Sequence, residues 1–340
     1  MSSIRQHVVV APALALSGLL IPATAAFAQA WVPAQGEGAV AISVQELNVK
    51  KHLSGTIVRD SGHINTVVLL TDVTYGLTDK MAVDLAIPFV SSTYAGNRPH
   101  PGTDIDNGKF HSSLTDIRFS ARYNLTRKGA VITPYIGSIV PSHDYPYYGH
   151  AAAGERLREI QVGAFVAKLF TTGVPRMFVS SRIAYGFVEK VLDISHNKSM
   201  GDLEVGYFVS PSFRAFGMMN GAYTHGGIDF PLSGLPGVPL KYQPVHDIVQ
   251  QVNYLHAGGG FAYSVNDSVD VFGSFSRLVA GRNGHALNRG ITVGASWSFS
   301  RRRKADTDTA CKGEPVTGYG PIAARQEGSL SRCVCQRSGL

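Results

Sequence analysis

Two kinds of connection take turns along residues 31–299, and the runs they join alternate apolar with polar residues. In DVTYGLTDKMAVDLAIPF (72–89), Met81, Val83, Leu85, Ile87 and Phe89 take the odd positions, and Ala82, Asp84, Ala86 and Pro88 take the even ones. A period of two places these sets on opposite faces of a strand. The break before Met81 recurs in kind. YGLTDKMAVDL (75–85), YNLTRKGAVIT (123–133), KLFTTGVPRMFV (168–179), YFVSPSFRAFG (207–217) and YSVNDSVDVFG (263–273) each carry an aromatic residue, a few turn formers and a new alternating run. Asn, Asp, Gly and Pro supply the bends other residues resist, so these read as tight hairpin turns. Longer polar connections fall between them at 54–62, 95–112, 144–156, 193–199, 227–244 and 281–286. Five tight turns and six long loops join twelve strands, with both ends of the sheet on the tight-turn side.

A soluble sandwich has no reason to segregate its connections this way. Membrane barrels have an even number of antiparallel strands, short turns at one end and long loops at the other. The fold class expected is therefore all-β, a transmembrane antiparallel barrel of about twelve strands with short periplasmic turns and long extracellular loops. The faces agree. Ile117, Phe119, Ala121 and Tyr123 oppose Asp116, Arg118, Ser120 and Arg122, while Leu203, Val205, Tyr207 and Val209 oppose Asp202, Glu204, Gly206 and Phe208. In the last strand Ile291, Val293, Ala295, Trp297 and Phe299 oppose Thr292, Gly294, Ser296 and Ser298. On this reading the apolar face meets lipid. Alternation is less clean in 213–225 and 246–263, where Gly258-Gly259-Gly260 suggests a bulge or kink.

The first residues agree with export. Arg5 precedes an apolar run from Val8 to about Leu20, and Ala26-Phe27-Ala28 forms a small-x-small cleavage site, so residues 1–28 read as a signal peptide and Gln29 as the mature start. The run is short for a spanning helix, which needs about 20 residues, and no cysteine follows the cleavage site as a lipoprotein would require. Residues 29–300 form the barrel and 301–340 a charged, Gly- and Pro-containing periplasmic tail that reads as disordered. Of the net charge of +7, one unit lies in the leader and four in the tail, leaving the body nearly neutral. A nucleic-acid binder would carry its basic stripe on the folded domain, so no nucleic-acid partner is expected.

The even-face charges Asp72, Asp84, Asp116, Arg118, Arg122, Arg182, Asp202 and Glu204 are the candidates to line the lumen. Charges of both signs at membrane depth must be paired or hydrated. They read either as a salt-bridged plug or as a polar constriction, and twelve strands leave more room than the eight that side chains alone can fill. Tyr75, Tyr123, Tyr207, Tyr263, Trp297 and Phe299 stand near the tight-turn end, as a periplasmic aromatic girdle would.

Catalytic sets are weak. Ser142-His143-Asp144, Ser195-His196 and Thr224-His225 hold suitable residues, but neighbours on an extended strand point to opposite faces and form no relay. His143, His196 and His225 fall near the outer rim, where a lipid-modifying enzyme would need them; no enzyme is expected. Asp104–Gly108 resembles the start of a calcium loop without its alternating spacing or distal Glu. Neither a phosphate-cradling glycine loop nor a zinc-spaced Cys/His set occurs, so no metal or cofactor is expected. Arg98, Lys109, Arg156 and Arg158 could meet lipopolysaccharide phosphates. All three cysteines, Cys311, Cys333 and Cys335, lie in the tail, where a disulfide, a metal site or a dispensable extension are all open.

WVPAQGEGAVAISVQEL, YGLTDKMAVDLAIPFV, VPSHDYPYYGH and RGITVGASWSF resemble proteobacterial outer-membrane proteins of the group named after the meta-pathway of phenol degradation. The resemblance spans about Trp31 to Phe299, rests on structural motifs and carries over no site residues. It implies an outer-membrane transporter, with outer-membrane lipid, lipopolysaccharide, the assembly machinery and a small solute as partners. Barrels of this kind usually end on an aromatic residue, here Phe299; this chain continues beyond it. Together these readings give a passive channel or uptake protein for a small, aromatic or apolar solute. A plugged structural or adhesion barrel is the alternative, and a lipid-modifying enzyme stands third.

Overall fold

A computed structural model describes residues 29–100, 103–126, 128–230 and 237–300. The leader and the tail with its cysteines lie outside them. Fourteen strands follow in order: β1 (Glu37–Ser54), β2 (Ile57–Arg59), β3 (His63–Thr78), β4 (Met81–Ala95), β5 (His111–Leu114), β6 (Asp116–Tyr123), β7 (Val131–Pro141), β8 (Glu159–Leu169), β9 (Met177–Val188), β10 (His196–Phe208), β11 (Phe213–Gly226), β12 (Asn253–Ser264), β13 (Val269–Arg282) and β14 (Gly284–Ser300). Each long strand pairs antiparallel with its neighbours in sequence, and β14 returns to β1 from Gly38 opposite Phe299 to Leu53 opposite Gly284. β5 and β6 share one place beside β4, broken at Thr115, whose N–H donates to the Pro88 carbonyl at 3.1 Å. β2 folds back on the end of β1. The result is a closed barrel of twelve wall positions. No helix among the described residues is long and apolar enough to cross a membrane.

Closure leaves no sheet edge to satisfy, the condition for spanning a bilayer with strands. Along β10, Leu203, Val205 and Tyr207 are exposed on the outside while Glu204, Gly206 and Phe208 are buried within. The same holds for Ile42 and Val44 against Ser43 and Gln45 on β1. An exposed apolar belt around the wall with polar residues behind it suits lipid outside. On β1 and β14 the belt stops at an outward ion pair, Glu46 with Arg289 at 2.9 Å; a charge costs little there and about 2–4 kcal/mol at the bilayer midplane. Residues beyond this pair, His52 and His285 among them, stand above the lipid.

The connections differ from expectation in several places. Those at 96–110, 142–158 and 227–252 are long and those at 79–80, 209–212 and 265–268 are tight, but 124–130, 170–176 and 189–195 span seven residues each, so the turns expected within 123–133 and 168–179 are no shorter than the loop expected at 193–199. The predicted sixth loop at 281–286 does not exist as one: β13 ends at Arg282, β14 begins at Gly284, and Asn283 turns the chain with φ 62°. Below this apex the two strands pair only from Val269 opposite Trp297 to Ser276 opposite Gly290. The strand predicted from residue 246 also starts later. Residues Leu240–Val245 and His246–Val249 are helical and lie over the mouth, with Ile248 packed on Leu157 and Val188. The irregularity in β12 falls at Leu255/His256 rather than at the glycines. Gly258 is instead a close-approach residue, since a Cβ there would lie 1.9 Å from the Phe275 carbonyl oxygen.

Candidate functional site

The interior is filled from both ends. At the tight-turn end the chain before β1 runs up inside the wall. Ala30 and Val32 are buried, and Trp31 packs toward Phe178 and Phe208. The carbonyl of Ala30 accepts a hydrogen bond from Thr133 Oγ1 at 2.6 Å, and that of Gln29 accepts one from Arg122. Gln35 N–H donates to Asp79 Oδ1 at 3.0 Å and Gly36 N–H to the Gly76 carbonyl at 2.9 Å, fixing where the segment enters. The aromatic rings it meets need small partners. Gly206 leaves room for Phe178, whose ring a Cβ would approach to 2.3 Å.

Around this segment stands a belt of charged residues from the inner face. Asp84 accepts from Thr74 Oγ1 at 2.6 Å, Ser120 Oγ at 2.7 Å and Arg122 at 2.7 Å. Arg182 pairs with Asp202 on the neighbouring strand. Asp116 accepts from the Tyr145 hydroxyl at 2.5 Å. Arg118 is half-buried, with Asp72, Glu159 and Asp116 as its acidic neighbours. Glu204 is buried beside Arg214. All eight candidate charges therefore lie inward, most in opposite-charge sets, and none stands in an isolated apolar site. The belt includes charges beyond these eight. Lys198 joins Glu159 at 3.3 Å and Glu155 at 3.6 Å. It falls within the connection expected at 193–199, where alternation fails across HNKSMG, although β10 begins at His196. The cross-strand opposition of Arg182 and Asp202 could have been found by aligning hairpin registers.

Outside, Tyr123, Tyr207, Tyr263 and Trp297 are exposed near the tight turns, with Tyr75 and Phe299 half-buried beside them. A second aromatic group sits near the long loops, where the His225 ring contacts Tyr185 at 5.6 Å and Tyr223 at 5.0 Å. Tyr207 stands eight positions along β10 from Ser199 at that upper level, about 26 Å of strand.

Above the charged belt lies a cavity of about 110 Å³. Leu47, Val68, Val90, Ile139, Leu157 and Ile248 form its apolar side, and Asp116, Arg118, Glu159, Lys198 and Asp247 its charged side. Loop 142–158 forms part of its roof, with Ala151 wholly buried against Val49, Ile64, Tyr94 and Ile105.

The roof is rich in imidazole. His52 (β1), His100 (loop 96–110), His150 (loop 142–158), His246 (the mouth helix) and His285 (β14) meet there, five of the twelve histidines of the chain. A bulge aims His52 inward: the ladder with β14 passes from Val49 to Lys51, and the extra residue switches the inner face from odd to even positions. Ring centroids lie 4.5 Å apart for His52 and His285, 5.0 Å for His52 and His150, and 5.8 Å for His150 and His285. His100 and His246 stack at 4.6 Å. Burial, with like charge from His285 and His150, brings His52 down to about 2; burial brings His285 down to about 4, so both are neutral at pH 7.

Asp106 ties this roof together. Its carboxylate accepts from the N–H groups of His100 at 2.8 Å, His150 at 3.1 Å and Ala151 at 2.8 Å, and from His150 Nδ1 at 2.8 Å. Burial raises its pKa, but the His150 hydrogen bond and the backbone donors outweigh that and hold it at about 2. A carboxylate so employed explains why DIDNG sits here. Arg158 pairs with Glu189 at 3.2 Å, and Arg156 pairs with Asp144 and covers the Tyr147 ring at 4.1 Å.

The three rim histidines separate. His143 Nδ1 lies 2.8 Å from Ser142 Oγ, and His225 Nε2 lies 2.7 Å from Ser199 Oγ across the β10–β11 ladder. Among the described residues neither has a carboxylate behind it to orient the ring. His196 is buried inside the barrel with Nδ1 on the Ile194 carbonyl at 3.3 Å.

No family model and no curated protein matches the sequence. Solved structures do. An outer membrane channel from Pseudomonas putida F1 superposes with a TM-score of 0.62 at 13% identity, over 79% of this chain and 97% of that one. The translocator domain of the autotransporter NalP from Neisseria meningitidis gives 0.47 at 13% identity, over 78% and 90%. A NanC porin gives 0.45 at 8% identity, over 76% and 98%. The first of these likenesses shows the fold, that of an outer-membrane barrel.

Proposed function

We propose that this protein is an outer-membrane channel or uptake protein that admits a small aromatic or apolar solute passively, after export and cleavage before Gln29. The observation that carries the reading is the cavity between the charged belt and the histidine roof, whose lining includes Leu47, Val68, Val90, Ile139, Leu157 and Ile248. Ligand sites are mostly apolar with a few placed polar groups, and this wall has that character. The fold shared with an outer membrane channel and the resemblance to the meta-pathway transporters support the same reading. Lipid and lipopolysaccharide around the belt, and the assembly machinery acting on the last strand, follow from it as partners.

Cells expressing the protein should take up a labelled monoaromatic several-fold faster at low concentration than cells without it. Ile139→Glu, which places a charge in the apolar wall, should abolish the gain while the barrel still assembles. Equal uptake with and without the protein would overturn the reading. The alternative, a plugged structural barrel, is favoured by the buried segment 29–36 and the ion pairs around it. Planar bilayers test it: a chain beginning at residue 37 that folds yet conducts no better than one beginning at Gln29 supports a static plug.

A further inference from the structure

The histidine roof offers more than packing. We propose that His52, His150 and His285 form a binding site for a first-row divalent transition metal, of the zinc, nickel or copper kind, at the extracellular mouth. Their ring nitrogens lie within 4.8 Å of one another. Across a tetrahedral zinc with bonds of about 2.0–2.1 Å the nitrogens stand about 3.3 Å apart, so no ring needs to move inward by more than about 0.9 Å. Three ligands leave a fourth position open on the cavity side.

The proton positions suit this role. Asp106 can only accept, so the 2.8 Å contact puts the His150 proton on Nδ1 and leaves Nε2 with a lone pair. A carboxylate behind a ligating imidazole fixes its tautomer and raises its basicity. The Tyr94 ring stacks on His150 at 4.4 Å and holds the ring plane. Meanwhile His52 Nε2 is buried without a hydrogen-bond partner. Three imidazoles converging with a free buried nitrogen among them leave polar atoms unsatisfied, at a typical cost of about 1–3 kcal/mol per group, which a bound cation would relieve.

The adjoining group carries the same signature. His246 Nδ1 lies 2.7 Å from the Gln243 carbonyl oxygen and is the donor there. Its Nε2 then faces Asp247 Oδ1 at 3.2 Å, an arrangement that needs a proton or a cation between two acceptors. Asp247, with Asp106, supplies negative charge beside the triad, offsetting the dication. Imidazole nitrogen with carboxylate nearby suits zinc, copper and nickel rather than magnesium or calcium, which take oxygen ligands.

The test uses the untagged full chain, folded in detergent and stripped with chelator, with Cys311→Ser, Cys333→Ser and Cys335→Ser introduced so that tail thiols do not contribute. Titration with cobalt(II) should give micromolar binding and the intense visible bands of a four- or five-coordinate nitrogen site, displaced by zinc. The pair His52→Ala and His285→Ala should weaken binding at least 100-fold, and Asp106→Asn by about 10–100-fold. The pair His111→Ala and His143→Ala, at the outer rim, should leave it unchanged. Heat-modifiable gel mobility reports whether each variant is folded. No binding tighter than millimolar by the parent chain overturns the site whatever the variants do. Binding untouched by the loss of His52 and His285 overturns it as well.

Discussion

The lower and upper halves of the barrel interior are built by different rules. Below, charged side chains stand on adjacent strands, and their partners are fixed by register: Arg182 opposite Asp202, and Asp84 beside the strand that bears Arg122. Above, the contacts join residues far apart in the chain, from loops, a short helix and the ends of β1 and β14. The lower half is thus a property of the sheet, and the upper half a property of how three long connections fold back on it. The difference predicts that one half fails with the barrel and the other fails alone.

The largest effect should come from below. Arg182→Met leaves Asp202 enclosed without its partner, which costs about 3 kcal/mol, whereas Arg182→Met with Asp202→Leu returns to within about 1 kcal/mol of the parent. Urea unfolding of the barrel in lipid vesicles, followed by gel mobility, measures both. If the single variant is as stable as the parent, water hydrates the lower interior and the pair is no part of the frame.

The same division explains what the sequence made legible. Strand faces, the exposed belt and the inward charges follow from a period of two, because every residue of a barrel wall must face lipid or lumen. The turn at Asp79-Lys80 and the strand from Met81 to Phe89 could be placed without any tertiary contact. The histidine roof could not. His52 is brought in by a bulge whose extra residue leaves no periodic trace, and His100, His150 and His246 lie in segments with no period at all. Metal-site spacing rules find ligands close in sequence; these span 52 to 285. The supposed loop at 281–286 shows the converse error. Asn283 and Gly284 mark a reversal correctly, but turn residues do not reveal that the flanking strands run up to it.

A smaller effect should come from above. Asp106→Asn removes charge from four hydrogen bonds and offers an NH₂ where an N–H donor points, a local cost of about 1–2 kcal/mol. Barrel unfolding should hardly change, while protease cleavage in loops 96–110 and 142–158 should rise about 10-fold, in keeping with that cost. The pH dependence has a definite sign. With its folded pKa held at about 2 against an ordinary value of 3.8, Asp106 stabilises the roof fully above pH 4 and loses that contribution as pH falls toward 2. Protection from an acid-active protease at pH 5 should therefore match that at pH 7 and decline near pH 2 in the parent alone. Cleavage that rises together with global unfolding would erase the distinction between the halves.

The segment 29–36 is where the comparison is weakest, because it is a non-periodic element in the lower half. One of its holds on the wall is Thr133, whose hydroxyl donates to the Ala30 carbonyl at 2.6 Å and accepts from Asn124 Nδ2 at 2.9 Å. Thr133→Val keeps the shape and removes both bonds, at about 1 kcal/mol. If the segment behaves as part of the sheet, that loss appears in barrel unfolding and nowhere else. If it behaves like the roof, a single cysteine placed at Ala34 becomes several-fold more reactive to a soluble maleimide while the barrel midpoint stays put. The second outcome is expected, since the segment belongs to no strand; at the entry Gln35 and Gly36 are tied to the rim by Asp79 and the Gly76 carbonyl. Interior legibility would then follow strand membership rather than depth in the barrel.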